Sequence, residues 1–138
     1  MAKFGITSKT RLATCHPDLQ TLFNYVIKYF DCTIVCGHRN KRDQDKAFNE
    51  KKSQVKYPNS KHNKYPSMAV DAAPWEKDHI DWSKDQMYYF SGFVLGIAKM
   101  LLEYGAIDSV IRLGSDWDGD NDIQDQTFID SPHFEIKT

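Results

Sequence analysis

The sequence predicts an α+β fold: a small, mostly antiparallel sheet with helices flanking it, in one domain over residues 1–138. Three observations predict it. Two stretches, 17–30 and 84–104, repeat their apolar residues at three- and four-residue steps, as amphipathic helices do. Runs at 33–36, 68–74, 110–113 and 133–136 are short, apolar or alternating, and bounded by turn residues, as strands are. Their order, helix, strand, strand, helix, strand, strand, is that of a mixed domain rather than of a parallel α/β sheet. A chain of 138 residues buries roughly two-thirds of its unfolded surface, enough for one core.

Taken in order, residues 6–16, with Ser8, Thr10 and Thr14, read as a loop and short turn. Pro17 starts a helix well, because its missing N–H would be unpaired there anyway. Leu19, Leu22, Phe23, Val26, Ile27 and Phe30 form that helix's buried stripe. The strand Thr33–Cys36 ends at Gly37, so the following turn delivers Arg39 just past a strand end, where scaffolds mount functional side chains. Residues 41–52 read as a polar helix with Ala47 and Phe48 pointing inward. A polar loop over 53–67, with Pro58 and Pro66, carries Ser60 and His62.

Next comes Met68-Ala-Val-Asp71-Ala-Ala-Pro74, an apolar run interrupted by one acid. A buried aspartate is costly unless its charge is paired or bound to metal. Residues 74–82 read as a second loop in which His79 is exposed. Met87, Phe90, Val94, Ile97, Leu101 and Tyr104 mark the longest helix, and Gly105 stops it. Gly92 and Gly96, four apart, suggest close packing of that helix on the sheet. Val110–Leu113 is a strand ending at Gly114, and His133–Ile136 is another, with His133 and Glu135 on one face.

Charge excludes some functions. With 18 basic and 19 acidic residues the net charge is −1, which gives no bias toward nucleic acid or an anionic membrane. The charge is uneven, because Lys and Arg crowd residues 39–64 while Asp dominates 116–130, which fits either a positive cleft for an acidic peptide substrate or a solvated helix face carrying lysines. Cys15, Cys32 and Cys36 are an odd number, which argues for reduced thiols and cytoplasmic synthesis. The alternation of Cys-Thr-Ile-Val-Cys would bring Cys32 and Cys36 to one face as core fillers. No stretch has the apolar length of a signal peptide or a membrane span, so no stable membrane association is expected.

Two sets of residues carry chemistry. His62, Asp71 and His133 can supply three ligands to a zinc ion and leave a fourth position for water, as a catalytic zinc requires. Asp130, three residues before His133, is placed to take a proton. Separately, Asp116, Asp118, Asp120 and Asp122 stand at alternate positions, like the first half of a calcium-binding loop whose glycine and closing glutamate are misplaced. So many acids in a short loop repel one another without a counter-ion, and the competing expectation is a solvated surface loop.

The segment Ser60-x-His62 followed by Ala69-x-Asp71 resembles the S-x-H-x-x-G-x-A-x-D motif of zinc peptidases related to the D-alanyl-D-alanine carboxypeptidases. The end, Asp130-Ser-Pro-His133, resembles their D/E-x-x-H motif. Within that group the chain is most similar to the single-domain L-alanyl-D-glutamate peptidases that tailed phages use as endolysins. Gly37-His-Arg39 and Asp116-Trp117 fall in the family's order. One departure stands out: nine steps separate His62 from Asp71 where the motif has seven, with Ser67-Met68 where the motif has Gly-x, and two extra loop residues cost little in closure entropy.

The resemblance implies a hedgehog/DD-peptidase-like fold, with His62, Asp71 and His133 as zinc ligands, Asp130 as the catalytic base and Arg39 on a substrate carboxylate or oxyanion. It implies a monomer made in the host cytoplasm that acts on the peptidoglycan stem peptide after release. D-alanyl-D-alanine carboxypeptidase activity, or a non-catalytic binding module of the same zinc fold, remain the alternatives.

Overall fold

The computed structural model describes residues 2–138 and consists of four α-helices and one five-stranded sheet. Helix α1, Ile6–Leu12, occupies a stretch expected to be a loop. Five of its seven residues are polar, and it is anchored to β1, Cys32–Cys36, mainly by polar groups. The Ser8 hydroxyl accepts from the Ile34 N–H at 3.0 Å, and the Arg11 guanidinium donates to the Ile34 carbonyl at 3.0 Å. Only Leu12 adds a deeply buried apolar side chain, so hydrophobic periodicity had little to detect.

Helix α2, Pro17–Val26, opens as expected with Pro17 at its first turn and buries Leu19, Leu22, Phe23 and Val26. Helix α3, Lys41–Asn49, is capped by Asn40, whose side chain accepts from the Asp43 N–H. Its inward residue is Gln44, fully buried, rather than the half-buried Ala47 and Phe48. Helix α4, Lys84–Glu103, buries Met87, Phe90, Ser91, Val94, Ala98 and Leu101. Tyr104 is 80% exposed and lies outside that stripe, and Gly92 and Gly96 face solvent with nothing near them, so they mediate no close packing.

The strands are β1, β2 (Ala69–Glu76), β3 (His79–Ile80), β4 (Ile111–Leu113) and β5 (His133–Ile136). They run in the order β1-β2-β5-β4, every pairing is antiparallel, and β3 folds back on β2. That hairpin replaces part of the expected loop over 74–82, while His79 is exposed as expected. One face of the sheet carries Ile34, Val70, Ala72, Phe134 and Ile136 into the core against α2 and α4. Phe134 meets Phe23 and Phe90 edge-on at 5.3 and 6.0 Å, aromatic contacts worth about 0.5–1.5 kcal/mol each beyond their buried area.

A bulge between Ile34 and Cys36 breaks the alternation of β1. Cys32 therefore lies in the core while Cys36 lines the opposite, open face, and the two do not share a side. All three cysteines are free thiols. Among the described residues no helix is long and apolar enough to cross a membrane.

Candidate metal centre and cleft

His62, Asp71 and His133 meet on the open face of the sheet. β2 and β5 are adjacent, and their register sets Asp71 directly opposite His133. His62 is brought there by a single 3-10 turn, Lys61–Asn63. Ser60 caps that turn by accepting from the His62 N–H at 3.2 Å, and Asn63 returns the favour by accepting from the Ser60 N–H at 3.0 Å. The Arg39 N–H donates to the His62 carbonyl at 2.8 Å, tying the turn to the end of β1.

The three side chains point at one spot. His62 Nε2 lies 3.1 Å and His133 Nδ1 3.2 Å from the same oxygen, Asp71 Oδ1. One ligand atom from each residue falls within 4.8 Å of the others, close enough for a single ion. The outer nitrogens are committed elsewhere: His62 Nδ1–H donates to the Gly37 carbonyl at 2.8 Å, and His133 Nε2–H donates to Glu135 Oε1 at 2.8 Å. Each ring thus turns its remaining nitrogen toward Asp71, as metal-ligating histidines do. Two imidazole nitrogens and one carboxylate oxygen are the donor set of a catalytic zinc site.

Burial and charge pull in opposite directions here. Burial disfavours the charged imidazoles, but Asp71 beside them outweighs it and raises both. Asp71 is itself held well below the usual carboxylate range, because the two histidines outweigh its burial. Asp130 lies at the rim with its Oδ2 3.8 Å from His133 Nδ1. Burial, and then repulsion by Asp71, push its carboxyl up to about 6.

The sheet face opens into a cleft of about 880 Å³ that contains all four residues. Arg39 stands on one wall, its Nη2 3.6 Å from Asp71 Oδ2 and its Nη1–H donating to Gln44 Oε1 at 2.9 Å. Trp117 forms part of the other wall, stacked on Phe128 at 6.3 Å and tilted against the His133 ring at 5.3 Å. Its indole N–H donates to the Phe128 carbonyl at 2.8 Å, which fixes the ring.

Gln44 is a site residue that sequence patterns missed. Its oxygen accepts from Arg39 and, at 3.3 Å, from Asn63, while its NH₂ donates to Ser53 Oγ and the Val55 carbonyl. Every hydrogen-bonding position of a fully buried amide is therefore used to join helix, metal turn and cleft wall. The detectable signal was a glutamine on the inward side of a polar helix.

In the acidic loop, Asp116, Asp118 and Asp120 bring carboxylate oxygens within 4.8 Å of one another. Asp122 stays outside that group and accepts from the Gln124 N–H at 2.8 Å. Asp116 is 3% exposed; its Oδ2 accepts from the Asn121 N–H at 2.9 Å, and its Oδ1 is buried with no partner.

The chain is 28% identical over 127 residues to the L-alanyl-D-glutamate peptidase of Escherichia phage T5, covering 90% of this chain and 88% of that protein. Its fold is similar to the crystal structure of the Serratia marcescens L-Ala D-Glu endopeptidase ChiX, with a TM-score of 0.71 over 98% of this chain and 90% of that one, at 19% identity. The family model for phage L-alanyl-D-glutamate peptidase matches residues 1–137, and the chain belongs to that family of peptidases.

Proposed function

We propose that this protein is a zinc-dependent endopeptidase that cuts the L-alanyl-D-glutamate bond of the peptidoglycan stem peptide, as a phage endolysin acting on the wall after release from the host cytoplasm. The observation that carries the reading is the convergence of His62 Nε2, Asp71 and His133 Nδ1 beside Asp130 in an open cleft. Those three residues would hold the zinc, which when bound supplies a polarised carbonyl and a water of lowered pKa.

The chain's own residues do the rest. Asp130 accepts the proton of the attacking water and passes it to the leaving amine, a role worth about 10²- to 10⁴-fold in rate. Arg39, held by Gln44 and Asp71, presents its remaining N–H groups to a substrate carboxylate or the tetrahedral oxyanion. Trp117 and Phe128 line one wall of the cleft and bound the space for the peptide. Digestion of purified Gram-negative peptidoglycan, with and without a zinc chelator, tests this. A new glutamate amino end, lost on chelation, is expected; a released terminal D-alanine would mean a carboxypeptidase instead.

A second site is favoured by the orphaned Asp116 Oδ1. A calcium ion held by Asp116, Asp118 and Asp120 would satisfy that buried oxygen and relieve the repulsion among three acids. Calorimetric titration with calcium is expected to show one site that Asp118→Asn weakens; no heat in the wild type would reject it.

A further inference from the structure

We propose that Glu135 is a positioning residue that fixes which nitrogen His133 offers to the metal, an assignment that rests on the zinc reading above. The two histidines are oriented differently. His62 leans on a neutral group, the Gly37 carbonyl, at a strand end tied to Thr14, whose hydroxyl accepts from the His38 N–H at 2.8 Å. His133 leans on a carboxylate two residues ahead on the same face of β5.

That carboxylate is braced from two directions. Arg112, on the neighbouring strand β4, donates to Glu135 Oε2 from Nε at 3.1 Å and from Nη2 at 2.5 Å. Lys61, next to His62 in sequence, brings its Nζ to 3.2 Å from the same oxygen and also donates to the Ile136 carbonyl. The Arg112 guanidinium in addition lies 5.7 Å from the centre of the Trp117 ring. Glu135 is 5% exposed, and the cost of burying its charge is offset by Arg112, Lys61 and His133, which between them occupy both of its oxygens.

The geometry excludes two other tasks. Glu135 is not among the three residues whose ligand atoms converge, so it is not a ligand. Its Oε1 is bound to His133 and its Oε2 to two cations, so it is not positioned as the proton acceptor. What remains is to hold Nε2–H, keep Nδ1 facing Asp71, and make the ring a stronger donor to the ion. Lys61 and Arg112 line the cleft and both reach Glu135 Oε2.

Zinc affinity, measured by competition with a chromophoric chelator, tests the proposal apart from turnover. Glu135→Gln keeps the shape, and its affinity is expected to fall about 10- to 100-fold. Arg112→Gln leaves the carboxylate but removes its fork, and is expected to lower affinity by a smaller factor. In a His133→Ala background, Glu135→Gln should change the residual affinity by less than about twofold, since its effect passes through that ring. Thermal melting of the metal-free variants establishes that they fold. Wild-type affinity in folded Glu135→Gln, or an equal loss without His133, overturns the assignment. Should Glu135→Gln not fold, wild-type affinity in Arg112→Gln overturns it. A wild-type protein that binds no zinc overturns the underlying reading and this one with it.

Discussion

The backbone of Asp130 crosses Gly114 so closely that a β-carbon on the glycine would stand 2.0 Å from the Asp130 carbonyl oxygen and 2.8 Å from the His133 β-carbon. The crossing is stitched by the Asp130 N–H donating to the Gly114 carbonyl and the Gly114 N–H donating to the His133 carbonyl, both at 2.8 Å. The end of β4 is therefore the template on which Asp130 and His133 are set. Gly114→Ala is expected to cost about 3 kcal/mol or more and to abolish activity together with zinc binding. Urea unfolding and metal analysis check it; an unchanged midpoint would mean that the crossing relaxes freely.

Asp130→Asn should separate chemistry from metal binding. Its carboxylate contacts His133 only at 3.8 Å, so zinc content should stay near that of the wild type while cleavage falls by about 10²-fold or more. Elemental analysis alongside peptidoglycan digestion reads both quantities.

His62→Ala, by contrast, removes one of the three side chains that converge as proposed zinc ligands and should lose metal and activity together. Adding zinc at 100 times its Kd is expected to stabilise the wild type by about 2.7 kcal/mol and the variant by much less. Melting curves with and without zinc give the comparison.

Arg39→Lys keeps the charge but loses the planar fork that Gln44 and Asp71 hold. A fall in kcat/KM of about tenfold or more is expected, with zinc retained. Steady-state kinetics on a soluble stem peptide measure it.

Burial pushes the Cys15 thiol from 9.0 up to about 12. The folded protein therefore holds this proton where the unfolded chain releases it. The thiol's contribution is fully present below pH 9 and lost as pH rises toward 12, at about 1.4 kcal/mol per pH unit. Cys15→Ala should unfold with a shallower alkaline slope than the wild type, and denaturant titrations at pH 8, 9 and 10 would show it.

Much of this was legible in the sequence, for physical reasons. Helices α2 and α4 announce themselves because a core-facing helix must repeat its apolar residues, and Asp71 stands out because an acid within an apolar strand needs a partner. What stayed hidden rests on polar anchorage or on backbone detail. Helix α1 is held by Ser8 and Arg11, α3 faces inward through an amide, and a one-residue bulge turns Cys36 away from Cys32. Gln44 and the bracing of Glu135 depend on pairings between distant segments, which no local pattern encodes.

The central place of β5 in the sheet, beside the strand that carries Asp71, has a consequence for how the enzyme comes into being. The pairing that completes the sheet joins stretches some sixty positions apart, a slow contact to form, and the same pairing assembles the catalytic constellation. A chain in which that pairing has not formed therefore lacks the juxtaposition of Asp71 and His133.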